Sequence, residues 1–75
     1  MTTLQFRLTQ RIGSSCLSQD KVLSVRDFNS LENAERLIPF EMRVKDSRDV
    51  DTNKPYFALV RVENDCVNTL INFYQ

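Results

Sequence analysis

From Tyr56 to Tyr74 the chain reads YFALVRVENDCVNTLINFY, with apolar and polar positions alternating on both sides of Asn64-Asp65. Side chains alternate across a strand with period two. A two-residue turn at Asn64-Asp65 therefore sets Tyr56, Ala58, Val60 and Val62 on one dry face with Val67, Thr69, Ile71 and Phe73. The opposite, mixed face takes Phe57, Leu59, Arg61 and Glu63 beside Cys66, Asn68, Leu70 and Asn72. A helical stripe through Val67, Leu70, Ile71 and Tyr74 competes for residues 67–74. Their β-branched and aromatic content and the facing register favour strand.

The same reading extends to the rest of the chain. Leu4, Phe6, Leu8, Gln10 and Ile12 alternate with Gln5, Arg7, Thr9 and Arg11, which predicts a half-buried strand. Residues 13–20 (GSSCLSQD) are small and polar, hold the single glycine, and read as a loop. Val22, Leu23 and Val25 suggest a second strand over 21–26, antiparallel to the first. In FNSLENAERLIP, Ser30 is a good N-cap, with Asn29 and Glu32 as an alternative capping box. Leu31, Ala34, Leu37 and Ile38 follow at helical spacing. Pro39 disfavours helix at Ile38 and should end the segment there. So short a helix must dock on the sheet to be stable, and the dry face of the hairpin is its expected seat. Phe40, Met42 and Val44 alternate with Glu41, Arg43 and Lys45 as a third strand. Residues 46–54 (DSRDVDTNK) form a polar loop. The expected fold is α+β: a mostly antiparallel sheet with one short helix packed on one face, in the order β-β-α-β-β-β.

Composition narrows the class. Seventy-five residues make one small domain, 1–75, and 41% apolar residues are too many for a disordered chain. Ten basic residues balance ten acidic ones, so net charge favours neither nucleic acid nor an acidic substrate. The N-terminal stretch is broken by Gln5, Arg7 and Thr9, unlike a signal peptide, and no run nears the roughly 18 apolar residues of a bilayer span. A soluble, cytoplasmic protein is expected. Cys16 and Cys66 belong to no metal-ligand spacing and read as free thiols, with a disulfide between them as the alternative.

Candidate chemistry is sparse. Without histidine the commonest general base and metal ligand is missing. One glycine cannot build a phosphate-cradling loop. Asp46, Asp49 and Asp51 interleave with Lys45, Arg48 and Lys54, the composition of a solvated loop rather than a paired-carboxylate or calcium site. No enzyme, cofactor or metal is expected.

Binding remains. A single helix covers one side of a sheet, so the mixed face should be left partly open, with Phe57, Leu59, Arg61 and Leu70 adjacent on it. Aromatic, leucine and arginine anchors of this kind suit a protein partner. The alternatives are a small nucleic-acid-binding regulator using Arg7, Arg11, Arg26 and Arg61 with Phe57 as a stacking platform, and a structural subunit or homodimer burying the mixed face against itself.

Arg26 to Glu35, RDFNSLENAE, carries a further pointer. Arg-Asp-Phe, an amide and a serine leading into a glutamate-bearing helix resemble a stretch of small phage anti-CRISPR proteins directed at type I surveillance complexes. That resemblance implies a phage-encoded, stoichiometric inhibitor that occludes a surface on such a complex in the host cytoplasm. It assigns no binding residues.

Overall fold

Asn64 and Asp65 both take positive φ, 52° and 66°, as a tight two-residue hairpin corner requires. Glu63 and Cys66 pair directly across it. In the computed structural model, which describes residues 4–75 except the side chain of Asn68, that corner joins the last two strands of one sheet. The expected place of the Asn68 side chain on the mixed face lies outside the described residues. The elements are β1 (Leu4–Ile12), β2 (Lys21–Phe28), α1 (Leu31–Arg36), β3 (Val44–Lys45), β4 (Tyr56–Glu63) and β5 (Cys66–Tyr74), with a 3-10 turn at Ser47–Asp49. The sheet runs β2-β1-β4-β5-β3, and every pairing is antiparallel. This is the expected α+β fold, including strand rather than helix for the last segment.

Ser30 caps α1 as its sequence suggests: its backbone is extended and its Oγ accepts the Asn33 N–H at 3.2 Å. The helix is shorter than its apolar spacing implied, because Leu37 already serves as the C-cap. The third strand is also shorter. Residues 39–42 form a turn, closed by the Met42 N–H on the Pro39 carbonyl at 3.0 Å, and only Val44 and Lys45 join the sheet as a strand. Arg43 and Gln75 exchange two backbone hydrogen bonds beside it.

The helix sits on the other face from the one expected. Ala34, fully buried, lies in one cluster with Leu8 and Leu59, and Phe6, Phe28, Phe57, Ile38, Ile71 and Tyr74 pack around it. The reason is topological. The segment from β2 to β3 runs between opposite edges of the sheet, and it crosses the side to which Phe28, Phe6 and Leu8 point. Arg61 and Glu63, which make that side read as mixed, stand near the hairpin corner, while α1 packs on β1 and β2.

The side carrying Tyr56, Ala58 and Phe73 is sealed instead by Leu17 and Val50 from the two long loops. The Asp20 carboxylate organises the first of them. It accepts the Ser14 N–H at 3.1 Å, the Cys16 N–H at 3.0 Å and the Tyr56 hydroxyl at 2.6 Å. Burial acts to raise the Asp20 pKa, but these hydrogen bonds outweigh it and hold the carboxyl below its ordinary value. Burial, helped by the bond to Asp20, pushes the Tyr56 phenol up. Gly13, at φ 146°, leaves no room for a Cβ, which would run into the Asp20 side chain. Thr9, buried on the same side, donates to the Ala58 carbonyl and accepts from Arg11. Both cysteines are free, Cys16 half-buried and Cys66 exposed.

Two register steps in β4–β5, between Leu59 and Val60 and between Arg61 and Val62, change the expected facing. An extra residue on one strand switches the side to which the next residues point. Ile71 joins the helix-side cluster, and Leu70 pairs with Val60 on the loop side. Val67, expected to be sealed, is 56% exposed.

Gly13→Ala should destabilise the protein by about 1–3 kcal/mol through strain and the displaced carboxylate, and Tyr56→Phe by a similar amount through a lost bond to a charged group. Urea unfolding midpoints measure both. The pH dependence has two sides. Because the folded Asp20 pKa is depressed, its contribution is present above the unfolded value near ~3.9 and is lost as pH falls through the folded value. The raised Tyr56 pKa makes its contribution complete below the unfolded value near ~10 and lost as pH rises past it. Asp20→Asn should flatten the acid limb.

Candidate protein-binding surface

The four residues expected to share a partner surface do not share one. Leu59 is fully buried, between Leu8 and Ala34. Phe57 is half-buried at the edge of the same cluster. Arg61 is exposed, on the Phe6 row nearer the hairpin corner. Leu70 is 40% exposed but sits on the opposite side, across from Val60. The helix took the face that was to be left open, and the register steps moved Leu70 off it.

Exposure concentrates on β2. Every residue from Lys21 to Asp27 is exposed, and Val22, Leu23 and Val25 stand 43%, 46% and 52% open. Among the described residues β2 is an edge strand, paired only with β1. Such an edge presents backbone N–H and C=O groups to any added strand. Its one irregularity is a register step between Gln10 and Arg11 of β1, which falls at Leu23 and leaves the stretch from Ser24 to Phe28 in regular pairing.

Beside this edge, on the helix side, lies an open groove of about 210 Å³. Leu8, Leu37 and Phe57 give it an apolar lining, and Gln10, Ser24 and Arg26 a polar one. The strands place these residues by pairing: Leu8 opposite Arg26 and Leu59, Gln10 opposite Ser24 and Phe57. Leu37 reaches in from the end of α1. One member of the expected set, Phe57, thus does line an accessible hollow.

The arginines of the first hairpin divide into held and available. Arg7 makes a two-point contact with Asp27, at 2.8 and 3.1 Å. That hydrogen bond holds the Asp27 carboxyl below its ordinary value, against the opposing effect of burial. Arg11 reaches the Leu17 carbonyl at 2.8 Å and braces the loop. The Arg26 side chain makes no hydrogen bond or ion pair among the described residues. A cation beside an apolar hollow, next to an open strand edge, is chemically suited to an extended segment with a bulky apolar side chain and a nearby carboxylate.

Among the described residues no three Cys, Asp or Glu side chains converge as a metal site. Asp46 meets Arg48, and Asp51 accepts the Asn53 N–H and exchanges contacts with Gln75. Among the described residues no helix is long and apolar enough to cross a membrane. Comparison with protein-family models, curated proteins and solved structures gives no match.

The β2 groove escaped the sequence reading because it depends on which face α1 covers. The available signal was the alternation of Ser24 and Arg26 with Val25, which puts a hydroxyl and a cation on one side of an edge strand.

Leu59→Ala should cost about 2–5 kcal/mol, as expected for a leucine deleted from a packed core. Leu70→Ala should stay within about 0.5 kcal/mol. Paired urea titrations separate the two, and similar losses at both positions would contradict the placement of Leu70.

Proposed function

We propose that this chain is a non-catalytic protein-binding domain, a small stoichiometric inhibitor that acts by covering a surface its target needs. The observation that carries the reading is β2: seven consecutive exposed residues on an edge strand, three of them apolar, flanked by the groove under Arg26. Open apolar edges are a hazard that folded proteins ordinarily blunt with prolines or inward charges. β2 has no proline, its register step falls at Leu23 ahead of the regular stretch from Ser24 to Phe28, and Arg7 neutralises the Asp27 carboxylate on its loop side. Retaining such an edge makes sense when a partner covers it.

The resemblance of residues 26–35 to anti-CRISPR proteins supplies the target class. That stretch contains Arg26, Asp27 and Phe28 of β2 together with the Ser30 cap. The partner on this reading is a type I surveillance complex in the cytoplasm of a phage-infected cell. The partner's extended segment pairs with β2 and sets an apolar side chain into the groove, with a carboxylate against Arg26. Affinity comes from those few anchors rather than from contact area as a whole.

Adding the purified protein to type I surveillance complexes and following target-DNA binding tests this directly. Wild type should slow binding at near-equimolar ratios, and Arg26→Glu with Val25→Lys should abolish the effect while unfolding at nearly the wild-type midpoint. No slowing with any type I complex removes the anti-CRISPR reading. Inhibition surviving the double variant removes β2 as the contact.

A further inference from the structure

The turn between α1 and β3 presents Phe40 with 91% of its surface exposed, the most open large apolar residue among those described. It is not a slack loop. Pro39 precedes it, the Met42 N–H closes the turn on Pro39, and the Arg43 guanidinium binds the carbonyls of Phe40 and Met42 at 3.0 and 3.2 Å. The Arg43 backbone is in turn tied to Gln75. The ring is held out in water by a braced scaffold, so little ordering is left for a contact to impose.

Immediately beside Phe40 is an open groove of about 360 Å³. Ile38, Met42, Val44 and Tyr74 give it apolar walls, and Val44 is itself 59% exposed. The hollow has room for one aromatic side chain, at the small end of the roughly 300–1,000 Å³ typical of ligand pockets. Glu35 stands on the helix side and Arg43 on the strand side. Glu35 makes no ion pair among the described residues, and Arg43 spends one nitrogen, Nη1, on carbonyls.

One patch thus carries a projecting ring, a hollow of matching character, an acid and a base. A two-fold contact requires this combination, because the same surface must complement itself. We propose that the occupant is a second copy of this chain. Each Phe40 enters the groove of the partner copy, and each Glu35 faces the partner copy's Arg43 across the axis. A stable contact takes roughly 800 Å² from each protomer, about one sixth of the 5097 Å² exposed here. The contact therefore extends from Phe40 along the turn and the last turn of α1. β2 lies at the opposite edge of the sheet; the two grooves adjoin at the end of α1, where Leu37 lines the one beside β2 and Glu35 and Ile38 line this one.

Analytical ultracentrifugation of the whole chain tests it. Wild type should sediment at twice the 8.8 kDa of one chain when loaded at about 100 μM. Phe40→Asp should return a single chain with an unchanged unfolding midpoint, and Val44→Asp on the facing wall should do the same, so that failure of one variant to fold does not leave the question open. Glu35→Lys should weaken the dimer by more than about tenfold, less so at high salt. A wild-type monomer at this concentration, or a dimer that persists in both aspartate variants, overturns the proposal. A dimer unchanged by Glu35→Lys overturns the two-fold arrangement. None of these outcomes depends on β2 or on inhibition of any target.

Discussion

The structure depends on one carboxylate. Asp20 gathers two backbone N–H groups of its own loop and the hydroxyl of Tyr56, which stands on the central strand. A 75-residue chain has little core to spare, and a polar loop laid over β4 has to be held in place by its own hydrogen bonds. By accepting them at one point, Asp20 lets an eight-residue polar segment act as a lid and bring Leu17 over Tyr56 and Phe73. Gly13 is the condition for this, because its missing Cβ is where the carboxylate sits. The T-shaped contact of Tyr56 and Phe73, at 5.4 Å, completes the joint with β5.

This arrangement explains how a sheet with one short helix buries one whole face of its middle strand and Leu59 on the other. Tyr56, Ala58, Leu59, Val60 and Val62 are all buried, although consecutive residues point to opposite faces. Six residues of helix cover Leu59, and two loops cover Tyr56 and Ala58. Gln75 secures the second loop: its side-chain amide accepts the Asp51 N–H at 2.7 Å and donates to the carbonyls of Asp51 and Lys54. What the covers do not reach is left on β2, around Phe40, and at Val67 and Leu70 of β5.

Local features were legible in the chain. The Asn64-Asp65 corner, the Ser30 cap, the alternation of β1 and the strand nature of residues 67–74 each rest on chemistry within a few residues, and each appears as expected. What the chain did not disclose was set by distant contacts. The choice of face by α1 follows from joining opposite edges of the sheet, which no local period encodes. The two register steps move Leu70 and Ile71 to sides that simple counting reverses. The alternation of Phe40 to Lys45 is a strand pattern, but Pro39 and the Arg43 clamp convert its first half into a turn. The candidate site inherited these errors: Leu59 and Leu70 were misplaced, Phe57 kept a role, and Arg26 stood out only once Arg7 and Arg11 were seen to be engaged.

The strand order has a further consequence. Four spacings of roughly 4.8 Å separate β2 from β3, so the two margins lie about 19 Å apart. The edge strands themselves stay clear of each other, and the two grooves adjoin at the end of α1, where Leu37 lines one and Ile38 the other. With the two contacts proposed above, the molecule would be a connector with two terminals rather than a plug with one.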